Sequence, residues 1–287
     1  MSPAGPAAVP PGFRWGDRTL VMGVLNLTPD SFSDGGRYET PEAALRQARR
    51  LHRQGADLLD LGGQSTRPGA AEIDAEAEKA RVLPALRRIL AALPPPEAGG
   101  PLLSIDTFRA PVAEAALAAG AHWINDVSAG RRDPDLLAVV AAADCPCVLM
   151  HSRGDSRTMD GLARYGDVVA EVRQELLRVT DRALAAGVRA ERILWDPGLG
   201  FAKTTAHNLA LLRGLALLRA EGFPLLVGPS RKRFIGEVLA EPRPRARLWG
   251  TAAVCGQAIA AGADVLRVHD VAPIVQTARM ADALCRA

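Results

Sequence analysis

The sequence predicts a single (β/α)8 barrel of the α/β class, a TIM barrel, preceded by a short N-terminal extension, and three observations predict it. Eight short apolar runs alternate with amphipathic stretches along the chain, and eight βα units in about 250 residues is the number that closes a barrel. No Gly-rich dinucleotide turn follows the first run, as an open doubly wound sheet would usually carry. Three phrases, RQGADLLDLGG, LAAGAHWINDV and IAAGADVLRVHD, repeat one form in which a helix ends at a glycine and a buried strand begins.

The elements follow in order. After the Pro-rich opening MSPAGPAAVPPG, the run TLVMGVLNL reads as a buried strand, followed by the polar stretch TPDSFSDGG, which has no apolar face to bury, and a helical pattern over 41–54. ADLLDLGG precedes a helix over 73–93, PLLSIDTF one over 111–119, HWINDVSA one over 134–143 and PCVLMHS one over 165–186. RILWDPG precedes a helix over 208–220, PLLVGPS one over 247–261 and DVLRVHD one over 272–285. Gly55, Gly120 and Gly262 fit helix C-caps, and LPPPEAGGP reads as a surface loop on the bottom face. Residues 1–12 are expected to be a disordered tail and 13–287 one barrel domain.

Composition narrows the function. The 287 residues are 48% hydrophobic and 23% charged, as in a folded soluble protein, and the net charge of +3 comes from 35 basic and 32 acidic residues without long runs. That excludes a nucleic-acid footprint or a membrane-binding face and suits an anionic substrate. No membrane span or leader pattern is visible, so a cytoplasmic location is expected. Cys145 and Cys147 lie two apart in an apolar run, which favours buried core thiols over a metal or redox role.

In such a barrel the site forms where the strands end. Every strand contributes a polar residue there: Asn26, the loop GGQSTRPG, Asp106, Asn125 with Asp126, His151, Asp196, Ser230 with Arg231 and Lys232, and Arg267 with His269. One such residue is most simply a cap or turn former. Eight together point to a ligand. Asp106, Asn125 and Asp196 match the donor-rich edge of a flat, guanidine-like heterocycle, while Asn26, Arg67, Arg267 and His269, on neighbouring strands of a closed barrel, suit a phosphate or metal-bound phosphate.

The phrases GVLNLTPDSFSDGG, GGQSTRPG, SIDTFR, WINDVSAG, LMHSRGD, DPGLGFAK, GPSRKRFIG and LRVHDV together resemble the bacterial dihydropteroate synthases over nearly the whole chain. The resemblance implies a pterin-binding domain that joins 6-hydroxymethyl-7,8-dihydropterin pyrophosphate to p-aminobenzoate, by SN1-like departure of pyrophosphate, in folate biosynthesis. It implies Asp106, Lys232 and Asn26 as catalytic residues. A pterin pocket of Asp106, Asn125, Met150, Asp196 and Lys232 follows, with a pyrophosphate site of Asn26, Arg67, Arg267 and His269. Thr66, Pro68, Phe201 and Ser230 would line the p-aminobenzoate pocket, Asn26 would lie nearest a Mg2+ ion, and the polar stretch after the first strand would be a mobile loop closing with Ser65 to Ala70. Asp34 in it either contributes to the closed complex or forms an Asx-turn.

The chain departs from the family pattern at Gln64, where many members carry Glu, at Ala202 for a common Gly, and at Arg233 for a small hydroxyl residue that seats the aminobenzoate carboxylate. Arg233 either attracts that carboxylate or faces solvent. No insertion reshapes the sulfonamide pocket, so sulfonamides are expected to compete. His151 is weighted towards holding its loop, and His52, His122 and His207 carry no expected role. The family implies a homodimer. Two rival readings are a methyltetrahydrofolate:corrinoid methyltransferase, against which Lys232, Arg267, His269 and the SRK phrase speak, and a non-catalytic pterin-binding paralogue, against which the presence of Asn26, Arg267 and His269 speaks.

Overall fold

The structure, a computed structural model, describes residues 9–28, 41–65 and 71–286. Eight parallel strands form one sheet in the order β6-β5-β4-β3-β2-β1-β8-β7. They are β1 (Leu20–Asn26), β2 (Leu58–Gly62), β3 (Leu102–Asp106), β4 (Trp123–Asp126), β5 (Cys147–Met150), β6 (Ile193–Asp196), β7 (Leu226–Val227) and β8 (Val265–Val268). A parallel bridge between Trp195 and Leu225 joins β6 to β7 and closes the barrel. The helices are α1 (Pro41–Arg53), α2 (Ala75–Leu90), α3 (Ala110–Ala118), α4 (Asp135–Ala143), α5 (Val168–Ala185), α6 (Thr205–Arg213), α7 (Leu215–Arg219), α8 (Arg233–Val238), α9 (Leu248–Ala260) and α10 (Val271–Cys285).

Strand period two sorts the side chains into two cores. Leu20, Met22, Leu58, Leu102, Trp123, Val148, Leu194, Leu226 and Val265 fill the barrel interior, and Phe13 and Trp15 from the N-terminal segment pack against them. The Trp15 ring lies 6.4 Å from that of Trp123, so the segment plugs the barrel floor. The alternate residues, such as Leu59, Ile105, Leu149 and Val268, pack outward against the helices. Gly55, Gly120 and Gly262 take φ of 95°, 105° and 94° at the ends of α1, α3 and α9. The N–H groups of Ala56, Ala121 and Ala263 then close the caps onto Leu51, Ala116 and Ala258 carbonyls.

Three expectations need correction. The helix expected over 208–220 breaks at Gly214, where a Cβ would meet the Val169 side chain of α5 at 2.8 Å. The six-residue α8 was not anticipated, because it is too short to show a helical period. The tail expected over 1–12 falls mostly outside the described residues, while residues 9–12 form turns, with the Phe13 N–H donating to the Pro10 carbonyl. Cys145 and Cys147 are fully buried, and burial pushes the Cys145 thiol up to about 12, as inert core thiols require. Among the described residues no helix is long and apolar enough to cross a membrane.

Candidate active site

One layer above the apolar interior, the same inward alternation turns polar. Asp60 follows Leu58, Asp106 follows Leu102 and Ser104, Asn125 follows Trp123, Met150 follows Val148, Asp196 follows Leu194 and Arg267 follows Val265. Parallel register sets Gly62 beside Asp106, Asp106 beside Asn125, and Met150 beside Asp196. The strands therefore raise this set to one level at the barrel mouth.

The set is held together by charge. Arg267 Nε donates to Asp60 Oδ2 at 2.6 Å, and its Nη2 donates to Asp106 Oδ2 at 2.7 Å. Asn125 Nδ2 donates to the same Asp60 oxygen at 3.0 Å. Burial raises the Asp106 carboxyl, the Arg267 guanidinium draws it back, and the neighbouring Asp60 charge raises it again. Burial also opposes the Arg267 charge, but the carboxylates of Asp60 and Asp106 overcome it and hold its pKa above the ordinary value. Asp196, raised by burial, has one oxygen accepting from the Gly198 N–H at 2.7 Å.

The turn after β7 aims Lys232. Arg231 sits at φ 63°, an uncommon conformation for a bulky residue, and is pinned by a bidentate pair with Asp270 at 3.0 and 2.6 Å. The Arg247 guanidinium donates to the carbonyls of Arg231, Lys232, Glu241 and Pro242. Lys232 Nζ then lies 4.2 Å from the Phe201 ring centroid, and burial brings its pKa down to about 8 while Asp196 supports the charge. Ser230 Oγ accepts the His269 backbone N–H at 3.2 Å and meets the ring at Nδ1, 3.0 Å away. Burial, with Arg231 and Arg267, holds His269 at about 3, so the imidazole is neutral.

The loop after β6 is knotted from within. Lys203 Nζ donates to the Gly198 and Phe201 carbonyls and meets His151 Nδ1, each at 2.9 Å. His151 Nε2 faces Glu175 Oε2 at 3.0 Å. Burial and the Lys203 charge bring His151 to about 4, so Nδ1 accepts from the ammonium and Nε2–H donates to the carboxylate. Gly198 is required at φ 66°, since a Cβ there would fall 1.8 Å from the His151 carbonyl oxygen. Above this floor opens a broad cleft walled by Asn26, Asp106, Phe201, Ser230, Lys232, Arg267 and His269.

A buried acid and amide set on β3, β4 and β6, faced by Lys232, Arg267 and His269 from β7 and β8, is the arrangement against which known proteins can be compared. The model of the family described as pterin binding enzyme matches residues 22–269. The chain is 49% identical over 274 residues to a dihydropteroate synthase of Synechocystis, covering 96% of this chain and 93% of that one. The chain belongs to the pterin-binding enzyme family, among the dihydropteroate synthases. Two solved structures agree. The Xanthomonas albilineans dihydropteroate synthase with 4-aminobenzoic acid superposes with a TM-score of 0.86 at 46% identity, covering 94% of each chain. The Yersinia pestis dihydropteroate synthase with a sulfonamide drug complex gives a TM-score of 0.89 at 37% identity, covering 98% of this chain and 100% of that one.

Of the residues singled out in the sequence, Asp106, Asn125, Met150, Asp196 and Arg267 occupy the inward ring. Asn26, Phe201, Ser230, Lys232 and His269 wall the cleft above it. Thr66, Arg67, Pro68 and Asp34 lie outside the described residues, as does the loop after β1 beyond Thr28. Asp126 points outward instead, where its carboxylate accepts from the Ser128 and Gly130 N–H groups. His151 holds its loop. Arg233 is paired with Asp160 through two 3.2 Å bonds at the edge of the cleft. Sequence reasoning missed Asp60, Lys203 and Arg247. A charge interrupting the apolar run ADLLDLGG was the available signal for Asp60.

Proposed function

We infer that this chain is a dihydropteroate synthase whose pterin pocket is formed by Asp106, Asn125, Met150 and Asp196 of the inward ring together with Lys232 from the cleft wall above it. The observation that carries the reading is the juxtaposition of that ring with the cation-bearing ends of β7 and β8. Asp106 and Asp196 accept from the amino and N–H groups of a pterin, Asn125 supports the opposite edge, Lys232 donates to a ring acceptor and Met150 packs on the ring face. Asn26, Arg67, Arg267 and His269 receive the diphosphate. Thr66, Pro68, Phe201 and Ser230 border the p-aminobenzoate ring.

The reaction breaks the C–O bond between the pterin methylene and pyrophosphate and forms a C–N bond to the aryl amine, which then loses a proton. The aryl amine is neutral at pH 7, so positioning matters more than a general base. Departure of pyrophosphate ahead of attack leaves a cation delocalised over the pterin, and the fixed carboxylate of Asp106 stabilises it. Catalytic roles thus fall to Asp106, Lys232 and Asn26. A Mg2+ ion would take most of its oxygens from diphosphate and water, so it needs no dedicated cage of protein ligands. Asn26 would hold it, and it would supply charge neutralisation of the leaving group. The reading includes cytoplasmic location, competition by sulfonamides and a homodimer, the last supported by apolar side chains such as Trp249 left 79% exposed on α9.

Dihydropteroate formation by wild type, Asp106→Asn and Lys232→Ala tests the assignment. Both variants are expected to lose at least a hundredfold in kcat/KM, about 3 kcal/mol of transition-state stabilisation. Near-wild-type rates in either would remove that residue from the mechanism.

A further inference from the structure

Asp60 belongs to the inward polar set, on β2, and no motif of the sequence points to it. Its side chain is fully buried, its Oδ2 accepts from Arg267 Nε and Asn125 Nδ2, and its Oδ1 is buried without a hydrogen-bond partner. Leu58 occupies the same inward column one layer below. If the position served packing alone, an apolar residue there would avoid the desolvation of a carboxylate and the orphaned oxygen.

We propose that Asp60 is a positioning residue for the transfer reaction, fixing through one oxygen both the amide face that Asn125 offers to the pterin and the guanidinium edge that Arg267 offers to the diphosphate. An ionised carboxylate only accepts, so the Asn125 atom turned towards Asp60 must be the nitrogen, and the amide oxygen is turned away from it. Arg267 has five N–H groups: Asp60 takes the one on Nε, Asp106 takes one on Nη2, and the Nη1 edge is left. Without Asp60 the guanidinium is free to close a two-pronged pair on Asp106, cancelling the carboxylate that the reaction uses. Asp60 touches neither substrate. It acts through two residues that do.

This rests on the pterin-site reading above, and its test separates the two. Calorimetric titration with 6-hydroxymethylpterin gives the affinities of wild type, Asp60→Asn, Asn125→Ala and the double variant. An Asn at position 60 both donates and accepts and no longer dictates the amide orientation. Each single variant is expected to bind about tenfold more weakly, the double variant little more weakly than either, and the KM for p-aminobenzoate is expected to stay within twofold in Asp60→Asn. A residue that only supports the fold would give independent losses that multiply in the double variant. Multiplied losses, or wild-type affinity in Asp60→Asn, overturn the proposal. If Asp60→Asn does not fold, the cycle of Arg267→Lys with Asn125→Ala reads the same coupling through the intact carboxylate, and independent effects there overturn it. Turnover by wild type is measured apart: coupling without turnover sinks the enzyme assignment alone, and turnover with independent losses sinks the role of Asp60 alone.

Discussion

Lys203 shows how much of this site depends on single buried groups. Its ammonium holds two carbonyls and a ring nitrogen inside the loop that presents Asp196 and Phe201, and burial lowers its pKa to about 7. Lys203→Met would leave those acceptors buried and unpaired, at a cost of about 2–4 kcal/mol. The expected outcome is a lower unfolding midpoint together with a raised KM for p-aminobenzoate, because Phe201 loses its support; an unchanged KM would confine Lys203 to stability. At this scale the sequence was legible where a polar residue stood at a strand end, as at Asp106, Asn125 and Asp196. Lys203 stands at the end of the phrase DPGLGFAK, past the strand end, where no apolar period marks it as buried. Asp60 was hidden before the end of its strand, where a charge inside the apolar run ADLLDLGG and the inward alternation from Leu58 to Asp60 to Gly62 are the signals that expose it.

Among the elements, the turn from β7 into α8 combines a bulky residue at positive φ with two sets of arginine contacts. Arg231 is held at positive φ between Asp270 and the Arg247 clamp. Arg247→Ala would free four carbonyls of residues 231, 232, 241 and 242. We expect kcat to fall by roughly tenfold or more as Lys232 loses its aim, an effect of the size that misplacing a reacting group has, with the barrel still folded by circular dichroism. Full activity in that variant would mean the turn holds itself. The eight strands and most helices were readable because burial on both sheet faces gives continuous apolar runs and the outer helices keep a 3.6-residue period. The six-residue α8 carries too few residues to register a period, and the Arg247 contacts to the carbonyls of residues 231, 232, 241 and 242 brace it.

Across the whole molecule, two neutral buried imidazoles couple stability to pH. His151 is held at about 4 and His269 at about 3, against about 6.5 in the unfolded chain. Between those limits the unfolded state binds protons that the folded state does not, so the contribution of these two imidazoles is full above about pH 6.5 and falls as the pH drops towards 4, while the buried Asp106, raised to about 7, works in the opposite direction. His151 alone contributes about 3 kcal/mol across that window. The stability of wild type relative to His151→Gln, read from unfolding midpoints between pH 7 and 4, should fall as the pH drops; a difference that does not change with pH would remove His151 from the pH dependence. The barrel itself places the chemistry. Its floor is packed by Phe13 and Trp15, and the polar ring lies towards the C-terminal ends of the strands, so the residues that face the ligand come from all parts of the chain. The measurement that tests this account most directly is pyrophosphate release by the wild-type protein with Mg2+ and the dihydropterin pyrophosphate, with and without p-aminobenzoate. The account predicts catalytic release that depends on p-aminobenzoate and matches dihydropteroate formed one for one. Tight pterin binding with no p-aminobenzoate-dependent release would contradict it.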